Sequence, residues 1–129
     1  MIRLYQPQDH ETIASWYTKW ELPITPNSWY TNLSFINEKD SKPESFGCLF
    51  QMGTSNMYWI EGLMTNPDSD KETRKENLKE LVNFLDNKAK QLGAEIILTS
   101  TPRDSLRDLF MEIGLTPAPE KYYHLGRLV

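Results

Sequence analysis

Cysteine is nearly absent from this chain. Cys48 is the only one in 129 residues, so no intrachain disulfide and no thiolate zinc site can form. Histidine is scarce too: His10 and His124 lie far apart and form no spaced pair, so no metal site is expected. There is no basic excess. Fourteen Lys and Arg stand against eighteen Asp and Glu, a net charge of -4, which argues against a duplex-DNA binder. Long apolar runs are missing, and none approaches the roughly 20 residues of a membrane-spanning helix. The first residues, Met1-Ile2-Arg3-Leu4-Tyr5-Gln6, lack the apolar stretch of a secretory signal. No serine–histidine–acid pattern, P-loop or dinucleotide fingerprint occurs. The expectation is a cytoplasmic protein that engages neither DNA nor membrane. Composition is otherwise ordinary, with 39% hydrophobic and 25% charged residues, which suits one globular domain over residues 1–129.

Periodicity orders the chain. Residues 2–5 alternate and predict a short strand. A helix follows Pro7 and Asp9, with Ile13, Trp16, Tyr17 and Trp20 on its apolar face; Pro23 ends it. Residues 23–31 form a proline-broken connector. Residues 33–36 predict a second strand and 37–44 a polar turn region. Residues 45–52 and 57–64 predict two strands joined by the hairpin loop Gly53-Thr54-Ser55-Asn56. Ser69 and Glu72 have the spacing of a capping box ahead of a long helix. That helix carries Leu78, Leu81, Val82, Leu85, Ala89 and Leu92, and Gly93 suits its left-handed C-terminal cap. Residues 96–98 predict a buried strand. Thr101-Pro102 predicts the start of a last helix, with Leu106, Leu109, Phe110 and Ile113 on one face and Gly114 at its end. Residues 122–128 predict a final strand. Strands 57–64 and 95–99, joined through the long helix, should run parallel by a right-handed crossover. The earlier hairpins should be antiparallel, which gives a mixed sheet with helices on both faces.

Several residues have plain structural readings. Cys48 lies within the apolar strand Phe46-Gly47-Cys48-Leu49-Phe50 and reads as a buried, inert thiol. Trp16, Tyr17 and Trp20 read as core, whereas Trp29 and Tyr30 would line a substrate pocket or a partner surface. The charges of Arg74, Lys75 and Lys79 alternate with Glu72 and Glu76 as on a solvated helix face.

The layout resembles the GNAT family of N-acetyltransferases over about residues 1–128, most specifically over 47–115. Trp59-Ile60-Glu61-Gly62-Leu63-Met64-Thr65-Asn66-Pro67 looks like that family's central strand and the proline turn after it. The helix over 71–92, the turn Leu92-Gly93-Ala94 and the strand over 96–99 look like the rest of its acetyl-CoA-binding unit. Leu109-Phe110-Met111-Glu112-Ile113-Gly114-Leu115 looks like its late helix. The run from Asn66-Pro67 through Ser100-Thr101, with Ser105-Leu106 beyond, also resembles small acetyltransferase-like proteins common in bacteriophages and prophages.

The resemblance implies a centrally splayed sheet with acetyl-CoA as cosubstrate. The backbone of Leu63 and Thr65 would pair with its pantetheine arm as an added strand. Its phosphates would lie at the N-terminus of the long helix near Arg74, Lys75 and Lys79. Glu61 would be the general base for an unknown amine. Two departures stand out. The glycines of the family's phosphate motif fall on Glu76 and Leu78 in one register and on Asn77 and Lys79 in another. The tyrosine that would protonate the leaving thiolate is replaced by Phe110; Tyr122 or Tyr123 could stand in for it, and His124 beside them could face the acceptor cleft. Two functions therefore stand side by side. One is an acetyl-CoA-dependent N-acetyltransferase. The other is a catalytically inactive GNAT-fold module that binds a macromolecular partner. A different acyl thioester and a homodimer are further expectations.

Overall fold

Alternating apolar residues build one five-stranded sheet. In the computed structural model, which describes residues 1–26, 30–119 and 125–127, the strands lie in the order β1-β2-β3-β4-β5. They are β1 (Ile2–Leu4), β2 (Ser34–Lys39), β3 (Lys42–Gln51), β4 (Met57–Thr65) and β5 (Ile96–Leu98). The first four pair antiparallel and β5 joins β4 in parallel. A parallel neighbour needs a crossover, and helix α2 (Lys71–Gln91) supplies it. Of the expected final strand over 122–128, residues 125–127 are described and form no strand; 122–124 and 128 lie outside the described residues.

Helices cover both faces, each through a stripe at helical spacing. Helix α1 (His10–Lys19) buries Ile13, Trp16 and Tyr17 against Ile36, Phe46, Cys48 and Met64. On the other face α2 buries Leu81, Val82, Leu85 and Ala89, and helix α3 (Asp104–Glu112) buries Leu109 and Phe110, against Phe35, Leu49, Tyr58 and Ile60. The sheet thus separates two cores and has the expected mixed architecture. No helix among the described residues is long and apolar enough to cross a membrane.

Four local expectations are corrected. Residues 96–98 form β5 but are not buried, and Ile96 is 47% exposed. The polar run over 37–44 is not a loop. Strand β2 extends to Lys39, and Asp40 and Ser41 alone turn the chain, with φ of 50° and 62°, the paired left-handed conformation of a tight hairpin. Its polar residues have partners: Asn37 Nδ2 donates to Asn77 O at 3.2 Å, and Arg3 Nε to Glu38 Oε1 at 2.8 Å. The cap of α2 is Asp70, not Ser69: Asp70 Oδ1 accepts the Thr73 amide at 2.9 Å, while the Ser69 hydroxyl donates to Glu44 at 2.5 Å. Helix α3 starts at Asp104, later than Thr101-Pro102 suggested. The Thr101 hydroxyl instead accepts the Arg103 amide at 3.1 Å, ahead of the first turn.

A bulge in β4 fixes the faces of its last residues. Cys48 pairs with Glu61 and Phe46 with Met64, so Gly47 stands opposite both Gly62 and Leu63. Gly62 has φ +69°, a conformation that costs an L-residue about 1–2 kcal/mol. The extra residue lets Ile60 and Leu63 both face α2 while Glu61 and Met64 face α1. Gly47 has a different reason. A Cβ there would lie 2.8 Å from Leu63 Cδ2 and 3.1 Å from Leu85 Cδ1.

Urea unfolding checks this. Gly62→Ala should lose about 1–2 kcal/mol through backbone strain, since its Cβ would have room. Gly47→Ala should lose about 1–3 kcal/mol through overpacking.

The N-terminal turn predicts a pH effect. Arg3 grips Asp9 with two bonds of 2.8 Å, and the Gln6 amide adds a third. The guanidinium hydrogen bond, chiefly, holds the Asp9 carboxyl below its usual 3.8. A depressed native pKa stabilises the fold above the unfolded value, and the gain is lost as pH falls through the native value. Acid unfolding followed by circular dichroism should show a shallower loss of stability below pH ~4 in Asp9→Asn than in the parent.

Candidate functional site

Strands β4 and β5 begin together and then part. They pair only over Met57–Ile96, Tyr58–Ile97 and Trp59–Leu98. Just beyond, Thr99 Oγ1 donates to Ile60 O at 2.8 Å, and Ser100 Oγ donates to Glu61 Oε1 at 3.4 Å. From there β4 runs on to Thr65 with β3 on one side and no β5 on the other.

The ladder decides which backbone groups face this opening. The Met52 amide donates to Met57 O, and the Asn66 amide to Glu44 O, both bonds between β3 and β4 ends. Counting inward by twos from each end, Trp59, Glu61 and Met64 turn their polar groups to β3. The Leu63 carbonyl and both polar groups of Thr65 then point to the open edge. One of them is already engaged, because Trp20 Nε1 donates to Thr65 O at 2.9 Å. Spacing places Trp20, at the end of α1, with the core, and nothing local in the sequence marks this bond across 45 positions.

Glu61 projects to the α1 side, into a pocket of about 280 Å³ lined by Tyr17, Tyr30, Phe46, Cys48 and Phe50 among others. The Tyr30 ring is held by Tyr5 at 4.8 Å, Phe46 at 5.0 Å and His10 at 5.9 Å between centroids. Burial pushes the Tyr30 hydroxyl pKa up, so it stays protonated. Burial also pushes the Cys48 thiol up to about 11, and Ser34 Oγ donates to its sulfur at 3.1 Å. A neutral buried thiol is no nucleophile, in line with its inert reading. Trp29, Tyr122, Tyr123 and His124, the other candidates for this side, lie outside the described residues. Phe110 is buried beside Leu109 and borders a larger hollow of about 800 Å³ between β5, the end of α2 and α3.

The start of α2 carries the remaining candidates. Asp70 caps the Thr73 amide, so a carboxylate of the chain itself already lies on the positive end of the helix. Arg74 donates through Nη1 to Ser69 O and lies 5.4 Å from the centre of the Trp20 ring. Lys75 is exposed, and Lys79 pairs with Glu112 of α3 at 3.1 Å. Asp68 pairs with Lys19 at 2.8 Å. Glu76, Asn77, Leu78 and Lys79, the positions of the motif glycines in either register, all lie inside α2 after its first turn. There the amides are bonded within the helix and offer nothing to an anion. The structure thus brings Glu61, Leu63 and Thr65 together at the opening and links Arg74 to them through Trp20. It ties Lys79 to α3. The Asp70 cap was legible as an acidic residue three positions before Thr73, but Ser69 offered a competing spacing.

No protein-family model and no curated protein matches the sequence. Solved structures do share the fold. A structure described as a probable acetyltransferase superposes with TM-score 0.75 at 12% identity, covering 100% of this chain and 99% of that one. A ribosomal-protein-alanine N-acetyltransferase from Brucella melitensis gives TM-score 0.71 at 9% identity, over 88% of this chain and 83% of that one. A Mycobacterium tuberculosis protein in complex with CoA gives 0.71 at 14%, over 94% and 76%. The chain therefore has the GNAT acetyltransferase fold.

The two ends of the opening differ. The open β4 edge offers the alternating acceptor and donor that an extended amide chain pairs with. The α2 N-terminus offers a phosphate fewer amides than an uncapped helix would. Hydrogen exchange followed by NMR tests the edge. In the free protein the Thr65 amide should exchange at least about ten-fold faster than the Met64 amide, which faces β3.

Proposed function

We propose that this protein is an acetyl-CoA-dependent N-acetyltransferase acting on an amine. The observation that carries this reading is the parting of β4 from β5 beside Glu61, which leaves the Leu63 carbonyl and Thr65 amide on an open strand edge. Acetyl-CoA supplies an activated acetyl thioester. The Leu63 and Thr65 backbone orients its pantetheine arm, and the Thr65 amide is the donor nearest to hand for polarising the thioester carbonyl. Arg74, Lys75 and Lys79 supply positive charge toward the phosphates. Lys79 would have to exchange Glu112 for this.

Glu61 takes the proton from the amine, directly or through water, with Ser100 Oγ holding the carboxylate at 3.4 Å. The nitrogen forms its bond to the thioester carbon as the carbon–sulfur bond breaks. The sulfur leaves with the electron pair and is protonated from water, because Phe110 has no proton to give. The proton on Glu61 returns to solvent.

A second reading, a catalytically inactive module engaging a macromolecule, is favoured by one observation: the Asp70 carboxylate occupies the helix end where phosphate would go. The two readings separate on turnover. With acetyl-CoA and an amine panel, the parent should release CoA, and Glu61→Gln should lower kcat by about 10²–10⁴-fold at unchanged thermal midpoint. No turnover in the parent, or a fully active Glu61→Gln, contradicts the acetyltransferase reading.

A further inference from the structure

One side chain of α1 stands across the open edge of β4. Trp20 ends that helix: its amide still bonds Trp16 O at 2.9 Å, while the next residue, Glu21, has left the helix with φ 57°. The Trp20 indole Nε1 donates to Thr65 O at 2.9 Å, on a stretch of β4 that lies beyond its last pairing with β5. The Arg74 guanidinium lies over the indole ring, 5.4 Å from its centre, and Arg74 Nη1 is held in turn by Ser69 O. Beside them Lys19 pairs with Asp68 at 2.8 Å, from the last turn of α1 to the loop before α2. Side chains of α1, the loop and α2 thus hold the indole on the edge.

These contacts can open without unpacking a core. Trp20 is only half-buried and packs at the margin of the α1 core, whereas Trp16 and Tyr17 carry its burial. Lys19 and Asp68 are exposed by 50% and 61%, where an ion pair contributes little. The bond to Thr65 O is a different matter. An amide chain laid along β4 as an added strand gives its N–H groups to the outward carbonyls of that edge. The indole N–H stands where one of those groups would go.

We propose that Trp20 is a latch on the cosubstrate edge. In the free chain the indole holds Thr65 O. In the liganded chain it turns away and an N–H of the thioester arm takes its place. The proposal rests on the acetyl-transfer reading and deepens it by naming what regulates access to that site. A protein that is mostly latched shows an affinity reduced by the fraction that is open. The sign of the effect separates a latch from a packing residue. Removing the indole N–H while keeping an aromatic ring should strengthen binding, which loss of packing does not do.

The test is calorimetric titration of the parent and Trp20→Phe with acetyl-CoA, with NMR of the parent's ¹⁵N-labelled indoles in parallel. Trp20→Phe keeps a ring for packing and for Arg74, and loses the donor. It should bind about three- to ten-fold more tightly than the parent, the scale of one net hydrogen bond. The Trp20 indole resonance is the one missing from the Trp20→Phe spectrum. In the parent it should shift as acetyl-CoA saturates, and its hydrogen should then exchange faster with solvent. Equal or weaker binding by Trp20→Phe at an unchanged thermal midpoint overturns the latch and leaves the cosubstrate standing. An indole resonance that stays in place while the parent saturates does the same, and it decides the matter if the variant's midpoint falls. Binding by Trp20→Phe alone supports the latch and marks the parent as shut. No binding by either protein contradicts acetyl-CoA as the cosubstrate, and the latch falls with it.

Discussion

The left-handed backbone of Gly62 is the constraint on which the rest depends. Without the extra residue it admits, β4 could not bring Leu63 to the α2 core and Met64 to the α1 core while Glu61 still faces α1. The same bulge shifts which backbone groups meet β3 and which point outward. Packing and site geometry are therefore one consequence of one conformation. Gly47, opposite the bulge, completes it, since Leu63 occupies the space a side chain would need.

A second theme is competition for the chain's own polar groups. The opening between β4 and β5 would be most receptive if every outward group were free. Instead Trp20 takes the Thr65 carbonyl and Asp70 takes an amide at the start of α2. The two contacts flank the loop over 66–70. Arg74 belongs to the same cluster, since it stacks near Trp20 and bonds Ser69 O. Ligand binding at this end would be an exchange of partners, and it would be weaker than at an uncapped helix.

Much of the fold was legible because burial on one face leaves a period in the sequence. The apolar stripe from Leu78 to Ala89 and the hairpin loop after Met52 announced their elements, and the GNAT-like order followed from them. The polar run over 37–44 misled. Asn37 and Ser45 are wholly buried yet polar, and both bond the Asn77 carbonyl on α2, a partner more than thirty positions away. The site was half legible. Glu61, Leu63 and Thr65 lie on one strand, so a strand reading placed them together. The Trp20 bond to Thr65 and the convergence of Tyr17, Tyr30 and Phe46 depend on the packing of separate elements, and no local spacing encodes that.

The central claim is that the open β4 edge receives a CoA thioester despite the capped α2 terminus. Calorimetric titration of the CoA-stripped chain with acetyl-CoA tests it most directly, with Arg74→Ala/Lys79→Ala alongside. The account predicts saturable binding, roughly micromolar, that the double variant weakens by about ten-fold. No heat and no thermal shift at millimolar acetyl-CoA would contradict it, and would mark the chain as one that keeps the fold without the cosubstrate.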